Sequence, residues 1–303
     1  MQFKRIKRQL NGVLLLDKPA GISSNQALQQ AKRLFQAAKA GHTGNLDPLA
    51  TGLLPICFGE ATKFSNFLLG AEKTYHAIIK LGITTTTGDA EGEVLSTSPV
   101  EVNDEQVRMA LEGLIGEISQ TPPMYSALKH QGKPLYEYAR AGIDIERKTR
   151  GVTIYSIKLQ DFRQDELEII VHCSKGTYIR TLAEDIGKFL ECGAHLVFLR
   201  RLTTGHFSLE HAWALEQLEA MTMEERDQCL LDVDASIDNL PKVALDETSM
   251  YYLMQGQKVW KSGIIPAGLF RLYGPQDNFL GLGELADDGK ISPKRLVQLN
   301  PKV

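Results

Sequence analysis

Apolar positions along this chain come in short, regularly interrupted runs. Gly12–Asp17 is one such run. It stops at Lys18-Pro19 with Gly21 behind it, the pattern of a strand entering a turn. Ser23, Ser24 and Asn25 then offer N-cap side chains, and Ala27–Ala38 has helix-forming composition. Gly52–Phe58 reads as a strand, Glu60–Leu69 as a helix and Tyr75–Ile83 as β-rich. Asn103 caps a further predicted helix in which Val107, Leu111 and Leu114 recur at helical spacing. Leu167–Cys173 reads as a strand. Tyr178–Leu190 reads as an amphipathic helix with Ile179, Leu182, Ile186 and Leu190 on one side. This mixture predicts an α+β main domain. An acidic run through Asp232, Asp234 and Asp238 to Pro241 marks a boundary. Beyond it, short β-like pieces alternate with glycines from Gly256 to Gly289 and predict a small all-β module.

A length of 303 residues fits about two domains at ~150 residues each. With 43 % apolar and 23 % charged residues the composition is that of a globular protein, which excludes collagen, coiled coil and bulk disorder. The net charge of −3 does not advertise a polyanion ligand, but charge is unevenly distributed. Residues 126–158 hold seven basic and three acidic residues, whereas residues 209–247 hold eleven acidic residues against Arg226 and Lys242. The first segment could face a polyanion and the second face away, or both could be ordinary solvated surface; charge alone does not decide. No run approaches the ~20 apolar residues of a membrane span. Lys4, Arg5, Lys7 and Arg8 precede only the short apolar run Val13–Leu16, less than the ~7–15 residues of a signal-peptide core. Cys57, Cys173, Cys192 and Cys229 form no CxxC pair and no ligand-like spacing with histidine. They read as reduced, mostly buried thiols of a cytoplasmic protein rather than a metal site.

Two segments carry candidate chemistry. Gly41-His42-Thr43-Gly44-Asn45-Leu46-Asp47-Pro48-Leu49-Ala50-Thr51-Gly52 holds three glycines and a proline in twelve residues and must be a shaped loop. Asp47 precedes Pro48 and is biased to an extended conformation. Its carboxylate could serve as a nucleophile or general base, or simply close an Asx-turn on its own backbone. In the second segment, Cys173–Asp185, a strand passes through a glycine turn into a helix with Arg180 in its first turn. A cation there opposes the helix dipole, so either Arg180 has a specific anionic partner or it is an ordinary surface arginine.

The first of these segments resembles the catalytic motif of pseudouridine synthases, and the chain as a whole resembles the TruB-type tRNA pseudouridine-55 synthases of bacteria. GVLLLDKPAGISS at residues 12–24 resembles the first family motif, Lys73-Thr74-Tyr75 its KTY motif, and Gly88-Asp89-Ala90-Glu91-Gly92 its GD-x-x-G element. TPPMYSALK from Thr121 and YEYAR from Tyr136 resemble the bacterial insertion, while CSKGTYIRTLAEDIG and Leu199-Arg200-Arg201-Leu202 resemble the later motifs. Asn45 stands where the family usually has Thr or Ser. The C-terminus resembles the small PUA RNA-binding module more loosely.

The resemblance implies a pseudouridine synthase catalytic fold over residues 1–246, a mixed, largely antiparallel sheet flanked by helices. It implies a basic RNA-clamping insertion at about 123–151 and a PUA-like module over 247–303. It makes Asp47 the catalytic carboxylate, Arg180 its ion-pair partner and Tyr75 the aromatic platform under the target base. His42 would fill the space that the flipped uridine leaves, Leu199 would wall the pocket, and Lys18 and Pro19 would buttress the loop. Asp89 would line the site or merely close a turn, and Tyr178 would contact substrate. Lys129, Lys133, Arg140, Arg147 and Lys148 would meet phosphates. The implied partner is tRNA, through its T-arm and, by the C-terminal module, its acceptor stem. No membrane or partner chain is implied, so a monomer is expected. Isomerising uridine involves no net redox change or hydrolysis, so no cofactor is expected, in keeping with the absence of a P-loop or dinucleotide fingerprint. Competing readings are an RNA-folding factor with secondary catalysis, a guide-RNA-dependent relative, and a glycosidase pairing Asp47 with Asp89 or Glu91. The bacterial-type insertion argues against the second of these, and a guanidinium partner suits a permanently anionic Asp rather than a proton-donating pair.

Overall fold

Residues along Lys73–Leu81 alternate between buried and half-buried without a break, the signature of a strand with one face on a core. This strand lies inside a ten-stranded sheet. The computed structural model describes residues 7–298; Lys4 and Arg5, and the outermost residues of both expected domains, lie outside the described residues. The first domain runs β1 (Gly12–Lys18), α1 (Ser24–Leu34), β2 (Ala40–His42), β3 (Thr51–Phe58), α2 (Ser65–Leu69), β4 (Lys73–Leu81), β5 (Ile83–Thr85), β6 (Val94–Thr97), α3 (Asp104–Glu112), β7 (Gly116–Gln120), β8 (Lys129–His130), β9 (Lys133–Pro134), α4 (Leu135–Arg140), β10 (Arg150–Arg163), β11 (Glu166–Cys173), α5 (Ile179–Phe189) and β12 (Ala194–Thr204). The sheet order is Trp213–Ala214, β1, β3, β12, β4, β11, β10, β7. Along this path only β3–β12 and the Trp213–Ala214 edge pair in parallel. The expected α+β class with a mixed, largely antiparallel sheet is therefore what the chain adopts. Buried residues of α1, α3 and α5 join those of β4, β11 and β12 in the main core.

Local chemistry explains the boundaries. The Ser23 hydroxyl accepts from the Gln26 N–H while the Gln26 side chain accepts from the Ser23 N–H, so α1 starts at Ser24, earlier than composition suggested. It ends at Leu34, short of Ala38, and Gln36 turns the chain with φ = 51°. The expected helix Glu60–Leu69 is broken into a 3₁₀ turn (Gly59–Lys63) and the short α2. Phe64, at the break, is drawn into a cluster with Ile237, Leu282 and Val297.

That cluster joins the two domains. The C-terminal sheet contains Lys242–Ala244, Leu269–Tyr273, Phe279–Leu285 and Ile291–Leu296 in that order. Its first strand falls ahead of the expected boundary at 246/247. The all-β expectation also needs correction, because helix Glu247–Met254 packs Leu253 into the module core beside Val243, Phe270 and Leu272. The sequence Tyr251-Tyr252-Leu253-Met254 lacks the polar–apolar rhythm that flags a helix. The acidic boundary run is a joint rather than a loose linker. Asp234, 6 % exposed, pairs with Arg271 at 2.8 Å and accepts from the Tyr273 hydroxyl. Lys63 Nζ donates to the Leu296 carbonyl at 2.8 Å.

Candidate active site

The loop that carries Asp47 is pinned from both sides. The buried Ser24 hydroxyl accepts from the Leu46 N–H at 2.7 Å and lies 3.1 Å from the Leu46 carbonyl, fixing the residue before Asp47. Thr43 N–H donates to the Pro55 carbonyl at 3.2 Å, and the Pro48 carbonyl accepts from Gly21 N–H at 2.8 Å. Lys18, fully buried, donates to the carbonyls of Pro19 at 2.7 Å and Ile22 at 2.6 Å. It thus holds the turn that abuts the loop, and burial lowers its pKa to about 8.

Helix α5 delivers the cation. Arg180 Nη2 lies 3.0 Å from Asp47 Oδ2, and Nη1 lies 3.5 Å from Asp89 Oδ2. The guanidinium also donates to the main-chain carbonyls of Thr87 at 3.0 Å and Tyr125 at 2.6 Å. Arg180 is 5 % exposed at its side chain, whereas Asp47 is 41 % exposed, so the carboxylate is the open end of the pair. Protein packed around Asp47 raises its pKa through lost hydration, and the Arg180 charge opposes the rise. Asp89 is both things the sequence allowed. It closes a turn by accepting from Thr87 Oγ1 at 2.6 Å and Glu91 N–H at 3.1 Å, and it lines the site as the second carboxylate on Arg180. With its oxygens so occupied it is poorly suited to donate a proton, which disfavours the glycosidase reading.

Tyr75 is 8 % exposed and shares the main core with Leu46, Ala50, Ile179 and Leu199. Burial raises its pKa, and the Arg201 cation opposes that shift. Leu199 is accordingly a core leucine packed in the cluster that also holds the Tyr75 ring. His42 ends β2, with Nδ1 buried and unpartnered; burial lowers its pKa, so the ring is neutral at ordinary pH. Tyr178 caps α5 through its main chain, which Gln120 holds with two bonds, at 3.0 Å to Tyr178 N and 3.2 Å to Tyr178 O; its ring lies under Arg150 at 4.8 Å.

The insertion touches this cluster through the Tyr125 carbonyl and through Arg150 over the Tyr178 ring. Lys129, Lys133, Arg140 and Lys148 are exposed. Arg147 differs: it folds back on the carbonyls of Ile145 and Pro122, both at 3.2 Å, and is half-buried. Among the described residues no group of three His, Cys, Asp or Glu could hold a metal ion.

Three contributors escaped sequence reasoning: Ser24, Gln120 and Arg201. Each acts through backbone groups distant in the chain, and only the motif neighbourhood of Ser24 and Arg201 signalled them. Arg201, 1 % exposed, donates from Nε to the Leu53 carbonyl at 2.7 Å and from Nη1 to the Asn45 carbonyl at 3.4 Å. Gly52 is required beside it, because a Cβ there would lie 2.3 Å from the Arg201 carbonyl oxygen.

The chain is also similar to known proteins along its length. The profile for the TruB family pseudouridylate synthase N-terminal domain matches residues 32–179. The tRNA pseudouridylate synthase B C-terminal domain matches 180–238, and the pseudouridine synthase II TruB C-terminal region matches 241–297. The chain is 62 % identical to tRNA pseudouridine synthase B of Methylobacillus flagellatus over 98 % of its length and 99 % of the relative. It is 55 % identical to the enzyme of that name from Aromatoleum aromaticum, over 98 % and 96 %. Among solved structures, a Cbf5-Nop10-Gar1 complex matches with a TM-score of 0.71 at 25 % identity, over 94 % of this chain and 84 % of that one. Identity of 62 % over 98 % of the chain leaves one conclusion: the chain belongs to the TruB family of pseudouridylate synthases.

Proposed function

We propose that this protein isomerises uridine 55 in the T-loop of tRNA to pseudouridine, with Asp47 as the catalytic carboxylate. The observation that carries the reading is the 3.0 Å Asp47–Arg180 pair, open to solvent on the carboxylate side, with Tyr75 in the core beneath the same loop. The names of the relatives support tRNA as the substrate. Breaking the N1–sugar bond and rejoining the base through C5 needs an anionic carboxylate at the sugar or base. A bidentate-capable, permanently charged arginine opposes the rise in the Asp47 pKa that burial causes and so favours its anionic form. The target base leaves its stack at a cost of a few kcal/mol. Stacking on Tyr75 would return about 1–3 kcal/mol. The neutral ring of His42 suits the vacated space, and Tyr75 takes the C5 proton at the end. Lys129, Lys133, Arg140 and Lys148, exposed on the insertion, hold the RNA backbone. The C-terminal module meets the acceptor stem, and the enzyme works as a cytoplasmic monomer. Incubation with an unmodified tRNA transcript followed by pseudouridine mapping tests the reading: product at position 55 is expected, and a transcript bound but unmodified would overturn it.

A further inference from the structure

Strand register draws a single line across the sheet. Lys18 on β1 pairs with Gly52 on β3, Gly52 with Arg201 on β12, and Arg201 with Tyr75 on β4. Arg201 therefore sits between the catalytic loop and the aromatic platform, in the interior of the protein. Its surroundings do not neutralise it. Nε and Nη1 meet main-chain carbonyls, and Nη2 is buried without a hydrogen-bond partner. Among the described residues no carboxylate lies within 4.0 Å of Arg201, nor of the buried amines of Lys18 and Lys73. Lys73 instead donates to the carbonyls of Leu68, Leu69 and Ala71. Three buried cations thus come from three strands; burial lowers the basicity of both lysines and of His42, and the Arg201 charge lowers it further. Burying a charge without a counter-ion is expensive, and holding two carbonyls requires donors, not charge. Such a field is useful when an anion forms inside it.

We infer that Arg201 is a positioning residue for the last proton transfer: its uncompensated charge stabilises negative charge on the Tyr75 oxygen, which removes the proton from C5 of the rejoined base. This rests on the reading of Tyr75 as the proton acceptor. Once C5 is bonded to the sugar carbon it carries both that bond and its hydrogen. Tyr75 rests as a phenol and first releases its own proton to solvent. The phenolate oxygen then takes the C5 hydrogen as a proton, the C5–H electron pair forms the C5–C6 double bond, and the former C6–N1 π pair moves onto N1. N1 then receives a proton, so uridine and pseudouridine differ only in connectivity. The Asp47 carboxylate acts on the same oxygen in the opposite sense.

The test is single-turnover kinetics on tRNA carrying protium or deuterium at C5 of the target uridine. Arg201→Gln is expected to slow the reaction by ~10²-fold and to raise the C5 isotope effect above the wild-type value, because deprotonation becomes limiting. Arg201→Lys, which keeps the charge, is expected to return the isotope effect to the wild-type value. A slow Arg201→Gln with an unchanged isotope effect would reduce Arg201 to a support for the loop and overturn the inference. So would an Arg201→Lys no better than Arg201→Gln. If Arg201→Gln does not fold, the Lys variant alone carries the test, a raised isotope effect in it counting against the inference. Tyr75→Phe separates the two levels. Full activity in Tyr75→Phe sinks the proton-acceptor reading itself, whereas an inactive Tyr75→Phe beside an indifferent Arg201→Gln sinks only the role of Arg201.

Discussion

The floor of the cleft and the insertion at 123–151 are built on opposite principles. On the floor, Lys18, Asp89, Arg180 and Arg201 are all buried and held mainly by backbone carbonyls or turn N–H groups, so the reacting groups inherit the rigidity of the sheet. The insertion has two strands of two residues, one short helix and a small buried contingent around Leu135 and Ser126, and four of its cations, Lys129, Lys133, Arg140 and Lys148, are exposed. Chemistry that fails when misplaced by an ångström belongs on the first kind of support. Docking to a long, deformable polyanion suits the second. The two meet where the Tyr125 carbonyl accepts from Arg180 and where Arg150 lies over the Tyr178 ring.

The sharpest break of this contrast comes from the floor. Asp47→Asn keeps the shape and removes the charge, and should lower the single-turnover rate by at least ~10³-fold while tRNA binding stays within about tenfold. A variant retaining a tenth of the rate would remove Asp47 from the chemistry. Arg180→Lys should be nearly as damaging as Arg180→Ala, because an ammonium cannot serve two carboxylates and two carbonyls in one plane. Loss of the cation also has a definite pH signature. Burial raises the Asp47 pKa and Arg180 holds it down, so Arg180→Ala should move the acid limb of the pH–rate profile to higher pH. A limb that stays in place would mean that the pair is not felt at Asp47.

From the other side, neutralising Lys129, Lys133, Arg140 and Lys148 should weaken tRNA binding and reduce its salt slope by ~0.7–0.9 per lost contact, with the rate at saturating RNA little changed. An unchanged slope would put this face away from RNA. The smallest effect on chemistry should follow removal of residues 242–303. It uncovers Phe64 and Ile237, each worth about 1.5–3 kcal/mol of burial, so the melting temperature should fall. An isolated T-arm hairpin should still be modified at a similar single-turnover rate, and a folded yet inactive product would show that the module helps build the pocket.

Much of this was legible in the chain. Asp47-Pro48 in a glycine-rich loop and Arg180 at a helix start are local signals, and the motif resemblance turned an undecided Asx-turn and an undecided surface arginine into partners. Long-range pairing was not legible. That Arg201 lies opposite Tyr75, or that Gln120 clamps Tyr178, depends on which strands become neighbours and in what register, and no local pattern encodes that. Asp234 misled for a related reason. Within a solvated acidic run it has no local mark to separate it from Asp232 or Asp238, and only its contact with Arg271 and Tyr273, nearly forty residues on, does so. The break at Phe64 is likewise set by the module that it touches.

Because the Asp234–Arg271–Tyr273 contacts and the Phe64 cluster both join the C-terminal module to the first domain, the molecule resembles a caliper with two jaws. With the two domains joined in this way, an RNA that touched both the Asp47 carboxylate and the C-terminal sheet would have to match the span between them. A stem lengthened or shortened by one base pair rotates and translates one end relative to the other, and such a stem could engage one jaw only at the expense of the other. Length discrimination would then come from a salt bridge and a handful of apolar contacts that never touch the RNA.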